Sequence, residues 1–292
     1  MSRVYIPPVA PSGPSPGRTK GLRWINRRPS RTGALFLALL PFVLAILVYA
    51  VASEARLAAN PADKLLPAFA DLVDGVKRMA FTPDARSGDY LMWVDTLASL
   101  QRLLSALAIA TIVGLVTGLV LGLLPLARAT FAPFVAVVSM VPPLALLPIL
   151  FILLGLGESA KITLITIGIT PFLIRDLAAR VEELPREQTI KAETLGSSSW
   201  QIALRVTLPQ VLPRLLDSLR LSLGPAWLFL IAAEAIASES GLGYRIFLVR
   251  RYLSMEVILP YVAWITLLAF LMDLCLRRLQ AKAFPWFAGR AG

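Results

Sequence analysis

Histidine is absent from the 292 residues, and cysteine occurs once, at Cys275. Without imidazole there is no Ser-His-Asp triad, no histidine zinc site and no imidazole proton shuttle. A lone thiol closes no intrachain disulfide and builds no multi-cysteine metal centre. Charge is scarce as well: 16% of residues are Asp, Glu, Lys or Arg, against about 25% in an ordinary soluble domain. No GxxxxGK[ST] segment is present to cradle nucleotide phosphates. What is abundant is apolar surface, at 57% of residues and a mean hydropathy of +0.72. That leaves too little polar area to cover soluble domains of this length. The chain reads as a membrane protein, and not as an enzyme by itself.

A helix needs about 20 apolar residues to cross a hydrocarbon core of about 30 Å. Charge-free runs fall at residues 32–53, 103–127, 129–157, 162–174, 221–233 and 257–272. The last three reach spanning length by admitting Arg175 and Asp176, Glu234, and Asp273 near their ends. The expected fold is all-α and polytopic, with six transmembrane helices. Residues 1–33 hold seven basic residues and no acid, which places this end in the cytoplasm by the positive-inside rule. Six spans return the other end there, beside Arg277, Arg278, Lys282 and Arg290. This threading puts 19 basic residues inside and 10 outside. Arg245, Arg250 and Arg251 fall on the outer side without a topological reason, as solvated charges or functional ones.

The expected organisation is a basic disordered segment (1–33), a first span (34–52), an outer segment (53–96), a core (97–280) and a cytoplasmic tail (281–292). Pro, Gly and Ser crowd residues 7–16, a composition that favours disorder. Ala50-Val51-Ala52 imitates a signal-peptidase site, but the long basic lead and the spans that follow favour an uncleaved anchor. No internal repeat is evident.

Three features sit inside spans. Gly114, Gly118 and Gly122 form a four-residue stripe where another helix can approach closely, either within the chain or across a subunit contact. Pro142 and Pro143 force the third span to kink or break, since each lacks an amide donor. Such backbone is tolerated in a bilayer only against protein or a water-filled cavity, so it serves packing or lines a route. Glu234 is a charge in the outer third of the fifth span. It reads as a pathway or gate residue, or as a structural hydrogen-bonding or interfacial one.

About 45 residues separate the fourth and fifth spans, more than a connector needs. A helix over 184–195 should end at Gly196, and Ser198 followed by Gln201 has capping-box spacing for a second helix stopping near Leu208-Pro209. Ile202, Leu204, Val206 and Leu208 give that element apolar surface. Two helices joined by a glycine turn at the membrane face suit a docking element; the alternative is a surface helix resting on the bilayer.

Leu195-Gly196 followed after nine residues by Val206-Thr207-Leu208-Pro209 resembles the permease signature of bacterial ABC importers. The stretches Val141-Pro142-Pro143-Leu144-Ala145-Leu146-Leu147-Pro148, Gly155-Leu156-Gly157-Glu158, Ala233-Glu234-Ala235 and Gly241-Leu242-Gly243-Tyr244 are similar to the nitrate/sulfonate/taurine branch. The resemblance covers roughly residues 95–280. It implies a coupling loop over about 184–210 that docks on a separate ATPase subunit, with Glu193, Leu195, Gly196, Ser198, Trp200, Leu208 and Pro209 in the contact. It also implies a periplasmic or lipid-anchored solute-binding protein, a second permease copy, and a place in the bacterial inner membrane. ATP and Mg would sit on the partner ATPase; no cofactor or metal is expected on this chain, and no nucleic acid as partner. The expected solute is a sulfonate, taurine or nitrate, or alternatively a urea- or guanidine-like nitrogen compound. One departure is plain: the family's Glu-Ala-Ala start reads Ile190-Lys191-Ala192 here, with Glu193 displaced. An ion-coupled transporter acting alone would need more intramembrane ionisable residues than Glu234 and Asp273. An intramembrane hydrolase would need a base that is not available.

Overall fold

A computed structural model describes residues 29–61 and 63–288. Most of the basic segment expected to be disordered, and the last four residues of the tail with Arg290, lie outside them. The chain divides into two units, Met1–Val51 and Ala52–Gly292. Helix α1 (Arg31–Ala59) begins in the first. Its Leu35, Phe36, Leu40, Phe42 and Leu44 are all exposed, as a lipid-facing helix requires.

The second unit holds helices and no strand among its described residues. It comprises α2 (Phe69–Ala80), α3 (Leu91–Leu123), α4 (Pro125–Val138), a 3₁₀ turn (Pro143–Leu146), α5 (Leu147–Leu154), α6 (Glu158–Glu182) and α7 (Arg186–Thr194). After these come α8 (Ser199–Gln201), a π-helical turn (Ile202–Thr207), α9 (Leu208–Ala237), α10 (Leu242–Arg250), α11 (Met255–Ala283) and α12 (Pro285–Ala288). Among the described residues five helices are long and apolar enough to span a membrane, and α4 with Pro143–Leu154, bent by 81°, passes the same test as a pair. The bend falls at Pro142 and Pro143, where the missing amides stop the ladder.

Helices α3, α6 and α9 form the core, with Leu103, Leu164, Leu173 and Leu230 wholly buried. Lipid tails are as apolar as leucine, so close packing rather than the hydrophobic effect holds such helices together. The glycine stripe of α3 supplies it: a Cβ on Gly114, Gly118 or Gly122 would lie 2.9, 2.8 or 2.5 Å from Leu173, Leu177 or Val181 of α6. The close approach is therefore within the chain.

Two boundaries differ from expectation. Helix α3 starts at Leu91, not at the edge of the charge-free run, and carries Asp95 and Arg102 inward. The second helix of the loop does not stop at Leu208-Pro209 but continues as one span, Ser199–Ala237. The π turn absorbs the proline: the Leu208 amide reaches back to the Ala203 carbonyl, and Pro209 sits in the first turn of α9, where no donor is needed. The Gln210 side chain then donates to the Val206 carbonyl at 2.7 Å.

Candidate functional site

At one end of the bundle, the end expected to face outward, six charged side chains of alternating sign interlock. Asp95, Ser99 and Arg102 stand at i, i+4 and i+7 on α3, one face of the helix. Glu234, on α9, is wholly buried; both its oxygens lie within 2.9 Å of the Ser99 hydroxyl. Arg102 donates to Glu234 at 2.7 Å, to the Ser240 carbonyl at 2.8 Å and, as a fork, to Glu158. Lys161 donates to Glu158 at 2.8 Å and to the Ser238 hydroxyl at 3.0 Å. Asp95 accepts from Arg245 at 2.7 Å and from the Tyr261 hydroxyl at 3.2 Å. Burial works against the Arg245 charge, but the Asp95 carboxylate outweighs it and holds the guanidinium above its ordinary pKa.

This cluster also caps a helix. The first amides of a helix lack internal partners and carry partial positive charge. At the start of α10 the amides of Gly241, Leu242 and Gly243 donate to Asp95, Ser99 and Glu234 at 2.9, 2.8 and 2.8 Å. Gly241 takes φ +129°, and Gly243 presses on the Ile231 carbonyl, where a Cβ would lie 2.7 Å away. Three acids and three bases balance, and both Glu234 oxygens accept hydrogen bonds within the cluster. The outer arginines thus differ: Arg245 is bound into the cluster, Arg250 lies over the Phe247 ring at 4.8 Å, and Arg251 is exposed.

At the opposite end, α7 closes with a Schellman turn. The Ser197 amide donates to Ala192 at 3.0 Å and the Gly196 amide to Glu193 at 2.9 Å, with Gly196 at φ +82°. Ser198 and Gln201 then form a reciprocal capping box at 3.3 and 2.9 Å. Ala192, Ile202 and Thr207 are buried beneath, while Leu195 is 81% and Trp200 72% exposed. Glu193 and Ser198 are exposed beside them, and Leu208 and Pro209 are half-buried at the root of α9. Arg214, over the Phe287 ring at 5.9 Å, ties α12 to this end.

Between the two ends, a cavity of about 640 Å³ opens at the bend, lined by Ser139, Pro143, Phe172, Arg175 and Phe229 among others. Pro143 is the one expected pathway residue on its wall. Among the described residues, no three Cys, Asp or Glu side chains gather as a metal site. The sequence reading missed Ser99 and Arg102 as partners of Glu234, and Asp95, Lys161 and Tyr261 as members of the same cluster. The i, i+4, i+7 spacing on α3 was the available signal.

A polytopic helical permease is the class that these spans, the broken third span and the exposed turn define. Residues 91–287 match the family described as binding-protein-dependent transport system inner membrane component, and the chain belongs to that family, the permeases of ABC importers. It is 37% identical over 198 residues to the taurine transport system permease protein TauC of Escherichia coli K12, covering 68% of this chain and 72% of that one. It is 33% identical over 199 residues to the bicarbonate transport system permease protein CmpB of Synechocystis, covering 67% and 70%. The MetNI methionine ABC transporter in inward-facing conformations shares the fold, with a TM-score of 0.59 at 21% identity over 68% of this chain and 99% of that one.

Proposed function

We propose that this permease couples to a separate ATPase subunit through residues 186–209 and passes a small polar solute, received from a binding protein, into the cytoplasm. Two copies would pair to enclose the route. The observation that carries this reading is the exposed turn at Leu195, Gly196 and Trp200, braced from below by Ile202. Large apolar side chains held outward on a rigid turn lose little ordering entropy when a partner covers them. ATP would bind differently to the two states of the motor, and the turn would pass that difference to α6 and α9, whose ends flank it. The relatives named for taurine and bicarbonate support a small oxyanion as solute; no feature of the chain favours the urea- or guanidine-like alternative.

The test is uptake of radiolabelled taurine and ethanesulfonate into proteoliposomes holding the permease, the ATPase subunit and the binding protein encoded beside it. ATP-dependent uptake is expected, and Gly196→Val should abolish it without lowering insertion. Uptake driven by an ion gradient without the ATPase would contradict the reading.

A further inference from the structure

Arg175 is the charge that the outer cluster leaves out. Helix α6 runs inward from Glu158 to Glu182, and Glu182 pairs with Arg128 at the inner end. Seven residues separate Arg175 from Glu182, about 10 Å at 1.5 Å per residue. From there its side chain reaches to Ser139, the first residue past α4, at the bend of the third span. The guanidinium therefore lies alongside a helix that is apolar enough to span a membrane, about two turns from its inner end. A charge at that depth is costly and is found facing protein partners or a water-filled cavity.

Its partners are few. Arg175 donates to the Ser139 hydroxyl at 2.8 Å, and the Ser139 hydroxyl donates in turn to the Ala136 carbonyl at 2.7 Å. Among the described residues Arg175 forms no ion pair. Its neighbour Asp176, also on the wall, is already engaged by the Ser218 hydroxyl and by Arg180 at 3.5 Å. A guanidinium offers five N–H donors in a planar fork that matches carboxylate and similar oxyanions. The rest of the wall is apolar, and Val138, Phe172 and Phe229 are part of its lining. Phe229 is seated against Gly168, where a Cβ would lie 2.4 Å from the ring, so the ring keeps its place only because residue 168 has no side chain.

We propose that the Arg175 guanidinium, oriented by its hydrogen bond to Ser139, forms an oxyanion-binding point on the solute route, its remaining N–H donors taking the sulfonate or carboxylate head of a small organic anion whose aliphatic body lies against Phe172 and Phe229. This rests on the permease reading, which makes the cavity a route.

The test uses the complete transporter in nanodiscs with Cys275→Ser and Val138→Cys, which leaves one thiol on the cavity wall. The rates of modification by an anionic sulfonatoethyl and a cationic trimethylammonioethyl methanethiosulfonate are compared. Arg175→Gln should lower the anion-to-cation rate ratio about tenfold, and Arg175→Lys should keep most of it. Millimolar ethanesulfonate or propionate should protect the thiol where Arg175 is present, whereas ethylene glycol should not; comparing the two anions tells a sulfonate site from a carboxylate site. Absence of protection by either anion overturns the proposal even if Arg175→Gln fails to assemble. An unchanged rate ratio in Arg175→Gln overturns it as well. These rates do not depend on ATP, so a transporter that labels as expected but shows no ATP-driven uptake counts against the permease reading alone.

Discussion

The charge cluster and the exposed glycine turn at the opposite end of the bundle are built on opposite plans. Outside, six charges and three helix amides satisfy one another, and the groups that matter most, Asp95 and Glu234, are sealed from solvent. Inside, backbone hydrogen bonds fix a turn whose largest side chains, Leu195 and Trp200, are turned outward. A network with every valence filled rigidifies the helices it joins, and one missing member strands the others. A rigid turn with bare apolar side chains is complete only when something covers it. The charge cluster joins the helices of the bundle, and the exposed turn is the face proposed above for a partner.

Substitutions can break this contrast, and the largest effect is expected outside. Arg102→Ala leaves Glu158 and Glu234 without their shared cation and should cost about 3–5 kcal/mol, seen as lost monodisperse protein after mild heating in detergent. Gly118→Leu pushes α3 from Leu177 and should cost about 1–3 kcal/mol in the same assay. A double-mutant cycle of Asp95→Asn and Arg245→Gln should return a coupling of about 0.5–3 kcal/mol in thermal unfolding. The smallest effect on stability is expected at Gly196→Val: open space surrounds the position, so only the left-handed backbone strain of about 1–2 kcal/mol is felt, and locally. Uptake should nevertheless be lost. A large fall in thermal stability from Gly196→Val, or none from Arg102→Ala, would invert the comparison.

Much of the fold was legible because hydropathy is written locally. Six apolar runs marked six spans, Pro142-Pro143 marked the bend, and Gly196 with Ser198 and Gln201 marked a turn that forms as spaced. What hydropathy conceals is charge inside a span. Arg102 ended a charge-free run and so looked like a boundary, whereas α3 carries it inward because Glu158 and Glu234 neutralise it across 56 and 132 residues of sequence. Pro209 looked like a stop because a proline breaks an α-helix, and a π turn, which sequence does not announce, lets the helix run on. Glu234 stood out as a lone acid, yet its partners lie on helices that only the fold brings together. The cavity at Arg175 was hidden for the same reason: its walls come from α4, α6 and α9.

The most direct measurement is co-elution of this permease with the ATPase subunit encoded beside it, comparing the native chain with Leu195→Asp/Trp200→Asp. Both substitutions lie on the exposed turn, so membrane insertion and thermal stability should be unchanged while the ATPase is lost from the complex. If the double variant still carries the ATPase in native proportion, the turn is not the coupling face and the account of how this permease is driven is wrong.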